Sequence, residues 1–94
     1  MDIVVRRIND EDRDEWFQMR KGIWPEAPDE YLRSDMGKIL AGESDVVFMA
    51  FVDNAPAGMI EVHLREYGEG CETSPVGYIE SWFVYPQYRG RGVA

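Results

Sequence analysis

The chain has one cysteine, one histidine, few basic residues and no long apolar run, and each scarcity closes off a class of protein. Cys71 alone excludes an intrachain disulfide and a cysteine-based zinc site, leaving an inert or mildly exposed thiol. His63 lies on the polar side of an alternating stretch, where a surface role is expected of it rather than a catalytic one. No metal is implied. No segment approaches the roughly 18 apolar residues that span a bilayer. The start, MDIVVRRIND, has no apolar signal core, so a cytoplasmic protein without a membrane partner is expected.

Ten basic residues stand against 18 acidic, a net charge of −8. All the acids and eight of the bases fall within residues 1–85, and 86–94 carries only Arg89 and Arg91. An acidic body of this kind repels nucleic acid, whose binding depends on neutralised phosphates. It suits a polycationic ligand, the alternative being a negative surface that serves solubility. What the chain does contain is globular: 45% hydrophobic and 13% aromatic residues are too apolar for disorder. Ninety-four residues allow one domain at most. A chain of that length buries only about two-thirds of its unfolded surface.

Residues 2–8 read as a β-branched strand. Asn9 or Asp10 can cap a helix that places Trp16, Met19 and Ile23 on one stripe, has Arg20 and Lys21 near its end, and stops before Pro25. A second helix starts near Asp29, with Leu32, Met36, Ile39 and Leu40 on one face and Gly42 suited to a left-handed C-terminal position. Residues 46–52, VVFMAFV, are apolar on both faces, as in a central strand. Residues 53–56 have turn chemistry. Along 59–65, Ile60, Val62 and Leu64 alternate with Glu61, His63 and Arg65. Residues 66–75 read as a loop, and 76–85, VGYIESWFVY, as a long apolar strand interrupted by Glu80 and Ser81. The class is α+β.

After that strand comes Gln87-Tyr88-Arg89-Gly90-Arg91-Gly92. It matches Q/R-x-x-G-x-G/A, the acetyl-CoA pyrophosphate motif of the GNAT superfamily of N-acetyltransferases, in the position where that family carries it. With MRKGIWP (19–25), EYGEGCETSPV (66–76) and YIESWFVYPQYRGRGVA (78–94), the chain most resembles the aminoglycoside 6′-N-acetyltransferases. The resemblance implies one incomplete domain over 1–94: the N-terminal portion of a GNAT fold, β-α-α-β-β-β with a mainly antiparallel sheet, ending after the fourth strand.

It further implies acetyl-CoA as co-substrate and an aminoglycoside as polycationic acceptor. Main chain near Phe83 and Val84 would pair with the pantetheine arm. The backbone N–H groups of Arg89, Gly90, Arg91, Gly92, Val93 and Ala94 would hold the pyrophosphate, as turns with free amides do. Glu80, a lone acid in an apolar strand, would accept the amine's proton and contact the substrate, the alternative being a solvent-facing side chain beside His63 or Arg65. Trp24 and Tyr67 align with aromatic residues of the family's drug site, suited to ammonium groups through cation–π contact, and Glu69 and Glu72 add charge nearby. Trp16 reads as core, and Trp82 as core or partner-facing. Without the rest of the domain, the chain is expected to bind acetyl-CoA poorly and to catalyse little. Its uncovered last strand predicts a homodimer. The alternatives are a GNAT acting on a polyamine or protein amine, and a non-catalytic fragment that self-associates.

Overall fold

The computed structural model describes residues 2–65 and 76–90. The element order is β1 (Ile3–Arg7), a 3₁₀ turn (Asp10–Asp12), α1 (Arg13–Ile23), α2 (Asp29–Ala41), β2 (Asp45–Val52), β3 (Ala55–Arg65), β4 (Val76–Val84) and a second 3₁₀ turn (Pro86–Tyr88). The strands form one antiparallel sheet in the order β1-β2-β3-β4, so β2 is central as its two-faced apolar sequence requires.

Local chemistry fixes the entry to α1. Asn9 accepts the Glu11 N–H at 3.0 Å, and Asp12 accepts the Asn9 N–H at 2.8 Å, a reciprocal capping box. Asp12 also receives both Arg6 Nη groups, at 2.7 and 3.0 Å, which ties β1 to the helix start. The Arg6 guanidinium, a hydrogen-bond donor to Asp12, holds that carboxyl below the ordinary carboxylate range. Trp16, Phe17 and Met19 of α1 and Leu32 and Met36 of α2 then pack on Val47, Met49 and Met59 of the sheet. Gly22 lets α1 lie against β4, because a Cβ there would stand 2.6 Å from Phe83 Cε1. The Tyr85 hydroxyl donates to Glu15 at 2.6 Å and secures the end of β4 to the same helix.

Several sequence expectations change. Gly42 is extended (φ −81°), not left-handed, and its N–H still closes the last turn of α2 on the Lys38 carbonyl. Leu40 is exposed, because α2 turns only one narrow stripe inward. The hairpin between β2 and β3 has two loop residues rather than four. Asp53 and Asn54 take positive φ (48° and 70°), as the twist of a tight hairpin demands, and Ala55 and Pro56 already belong to β3. The largest correction concerns the two sides of β3. The phase that looked solvent-facing is the helix-facing one there: Ala57, Met59 and Glu61 are all buried. Ile60 lies on the other side of the sheet, where helices α1 and α2 do not reach. With Val5, Phe48 and Trp82 it lines a shallow apolar hollow.

Candidate functional site

Glu61 needs a compensating cation in the interior, since an unpaired buried carboxylate is very costly. α1 supplies it. Trp16, Arg20 and Trp24 are spaced four residues apart and so fall along one face of the helix. The Trp16 indole N–H donates to Glu61 Oε2 at 2.7 Å, and Arg20 Nη1 lies 3.3–3.4 Å from both Glu61 oxygens. Arg20 Nη2 reaches Asp35 of α2 at 2.6 Å. The guanidinium carbon sits 5.8 Å from the Trp16 ring centroid and 5.2 Å from that of Trp24. A residue that read as a dipole-complementing cation at a helix end is 2% exposed and joins two helices to the sheet.

Trp24 is the C-cap of α1, its N–H bonded to the Arg20 carbonyl at 2.9 Å. The connection that follows is gathered by Lys21, whose Nζ donates to the Pro25 and Ala27 carbonyls and meets Asp29 at 3.0 Å. These contacts set the indole at the rim of a concavity of about 360 Å³. Arg20, Asp35, Lys38, Asp45, Glu61 and Glu80 contribute to the same walls, so four carboxylates face two cations. Asp45 also meets His63 Nδ1 at 2.9 Å, so the histidine is half-buried in a cross-strand pair rather than at a bare surface.

Glu80 enters this wall through a bulge. Glu61 pairs with Ser81 and Val62 with Ile79, leaving Glu80 as the extra residue of β4. A bulge re-aims a side chain out of the strand's alternation. Thus Glu80 and Trp24, far apart in sequence, share one acidic concavity. Tyr67, Glu69, Glu72 and Cys71 lie outside the described residues. Trp82, 58% exposed on the opposite side of the sheet, is not core.

Past β4, Pro86–Tyr88 turns the chain and Gly90 takes φ +78°, a left-handed position that suits glycine. The Arg89 N–H is bonded to the Pro86 carbonyl at 3.3 Å, closing the 3₁₀ turn. The Arg89 Nε donates to the Val84 carbonyl at 2.8 Å, and the guanidinium lies 5.8 Å from the Phe83 ring. Arg91, Gly92, Val93 and Ala94 lie outside the described residues. Phe83 and Val84 stand on the edge strand β4, which pairs with β3 on one side and with no other strand among the described residues.

The chain belongs to the acetyltransferase (GNAT) family, whose model matches residues 6–94. Among its curated relatives are two aminoglycoside N(6′)-acetyltransferases type 1. The Stenotrophomonas maltophilia protein is 40% identical over 92 residues, covering 96% of this chain and 59% of the relative. The Salmonella typhimurium protein is 36% identical over 91 residues, covering 96% and 63%. The fold superposes on the solved structure of AAC(6′)-Iy in complex with the bisubstrate analogue CoA-S-monomethyl-acetylneamine. The TM-score there is 0.86 at 33% identity, over 99% of this chain and 64% of that one. The chain thus spans about 60% of the length of the curated relatives it matches. The expected α+β GNAT architecture, β-α-α-β-β-β with an antiparallel sheet, is the one observed. Among the described residues no helix is long and apolar enough to cross a membrane.

Proposed function

We propose that this protein is an acetyl-CoA-dependent N-acetyltransferase that acetylates the 6′-amino group of aminoglycosides. The observation that carries the reading is the acidic concavity in which Glu80 and Trp24 meet. Its excess of carboxylates favours an acceptor bearing several ammonium groups, and the Trp24 face adds cation–π attraction. Glu80 accepts the proton that the acceptor amine loses as its nitrogen bonds to the acetyl carbon. The thioester C–S bond of acetyl-CoA breaks as the N–C bond forms, and CoA leaves as its thiolate, which takes up a proton from solvent. Phe83 and Val84 would pair with its pantetheine arm, and the turn at Gly90 with the amides of Arg91, Gly92, Val93 and Ala94 would face its diphosphate. Acetyl-CoA is a cytoplasmic metabolite, and a cytoplasmic setting goes with this reading. Because the 94 residues span about 60% of the relatives' length, acetyl transfer by them alone is expected to be slow.

Calorimetric titration of the 94-residue chain with neamine and with spermidine tests the acceptor class. Tighter binding of neamine, weakened about tenfold in Glu80→Gln by loss of one charge-assisted contact, is expected. A preference for spermidine would replace the aminoglycoside by a polyamine, and a folded chain that binds neither would overturn the reading.

Self-association is favoured by a separate observation. Val5, Ile79 and Trp82 are 59%, 66% and 58% exposed, and among the described residues β4 pairs with β3 alone. Apolar exposure on this scale invites pairing with a second copy. Sedimentation velocity should show a dimer that persists on dilution, and a monomer at all concentrations would rule the pairing out.

A further inference from the structure

We propose that Arg20 is a positioning residue of the acceptor pocket, fixing the Asp35 carboxylate and the Trp24 indole as walls against which a second, non-reacting ammonium group of the acceptor rests. This rests on the acceptor reading above. Arg20 is 2% exposed and spends its two Nη groups on different carboxylates, Glu61 inside and Asp35 at the pocket wall. The Asp35 side chain remains 41% exposed while Arg20 holds its Oδ2. Asp35 is therefore fixed in place and still open to a ligand. The trio of Arg20, Glu61 and Asp35 carries one net negative charge, and its exposed member is the acid. Glu61 and the Trp16 N–H complete the far side, so the guanidinium cannot swing toward solvent without stranding a buried carboxylate.

The geometry also suits arginine better than lysine at this position. A planar fork can serve two carboxylates while lying beside the rings of Trp16 and Trp24, and the point charge of a lysine cannot do all of these at once. Trp24 is tied to the same residue twice, through the ring contact and through its N–H on the Arg20 carbonyl. The Arg20 side chain thus touches both the carboxylate and the aromatic ring that an amino sugar would meet. This is a specificity function separate from proton acceptance at Glu80.

The test is a double-mutant cycle on neamine affinity, measured by calorimetry with wild type, Arg20→Lys, Asp35→Asn and the double variant. Each single change should weaken binding about tenfold, as expected for one charge-assisted contact. The double should be no weaker than the worse single, because Arg20 acts through Asp35. Single variants that bind as wild type does, or effects that simply add, would overturn the role of Arg20 while leaving the acceptor reading intact. Failure of the folded wild type to bind neamine would instead remove the acceptor reading, and this inference with it. Should Arg20→Lys not fold, Asp35→Asn decides alone. It leaves Arg20 paired with Glu61, and unchanged neamine affinity in it would overturn the proposal.

Discussion

Replacing Glu61 by glutamine keeps the side chain's shape and removes its charge. Glu61 is 5% exposed and accepts from the Trp16 indole at 2.7 Å and from Arg20 at 3.3–3.4 Å. Breaking a buried ion pair from one side costs about 3–5 kcal/mol, because the remaining charge is left in the interior. Here Arg20 keeps Asp35 at 2.6 Å, and the amide oxygen of glutamine can still accept from Trp16. Both features point to the lower end, about 3 kcal/mol. A chain of this length holds roughly 5–14 kcal/mol in all. With a urea slope of about 2 kcal/mol/M, the unfolding midpoint should fall by about 1.5 M. Asp10→Asn is the matched control. The Asp10–Arg13 pair is 89% and 55% exposed, and its loss should cost less than about 0.5 kcal/mol. A Glu61→Gln loss as small as that of the control would refute the idea that the carboxylate anchors the pocket.

Two helix glycines should respond in opposite directions. Gly37→Ala meets nothing within 4 Å and should stabilise by about 0.5–1 kcal/mol, whereas Gly22→Ala presses on the Phe83 ring and should destabilise; thermal unfolding compares them. Stability should also fall at both pH extremes. Asp12 is held below the ordinary carboxylate range by its hydrogen bonds from Arg6, so its contribution is complete above about pH 4 and is lost as pH falls through the folded value. Burial, and then the hydrogen bond to Glu15, pushes the Tyr85 phenol up, so its contribution is complete below about pH 10 and is lost as pH rises beyond that. Melting curves of Asp12→Asn and Tyr85→Phe should each flatten one limb of the profile.

Periodicity made most of the fold readable. Trp16 and Met19 repeat at helical spacing and are fully buried, and the continuous apolar run of β2 marks a strand with neighbours on both sides. Glu80 stood out as the one acid in an apolar strand, and Trp24 through the resemblance, which aligns it with an aromatic residue of the family's drug site. What alternation concealed was the phase of β3. Ile60, Val62 and Leu64 look like the core face, yet the helices lie over Met59 and Glu61, because Trp16 and Arg20 supply the donors that make a buried glutamate tolerable. A cation spaced four residues from tryptophan on either side was the available signal for Arg20. No comparable signal announced the bulge, since register depends on partner strands that are remote in sequence.

The chain holds three tryptophans in three settings, and their indole N–H resonances form an internal map. Trp24 lines the acidic concavity, Trp16 is buried against Glu61, and Trp82 lies exposed on the opposite side of the sheet. The most direct measurement is a titration of the ¹⁵N-labelled chain with neamine. If the concavity receives the aminoglycoside, the Trp24 resonance shifts saturably and that of Trp82 stays in place. A Trp82 shift with Trp24 unmoved, or no shift in either while the spectrum shows a folded chain, would contradict the account.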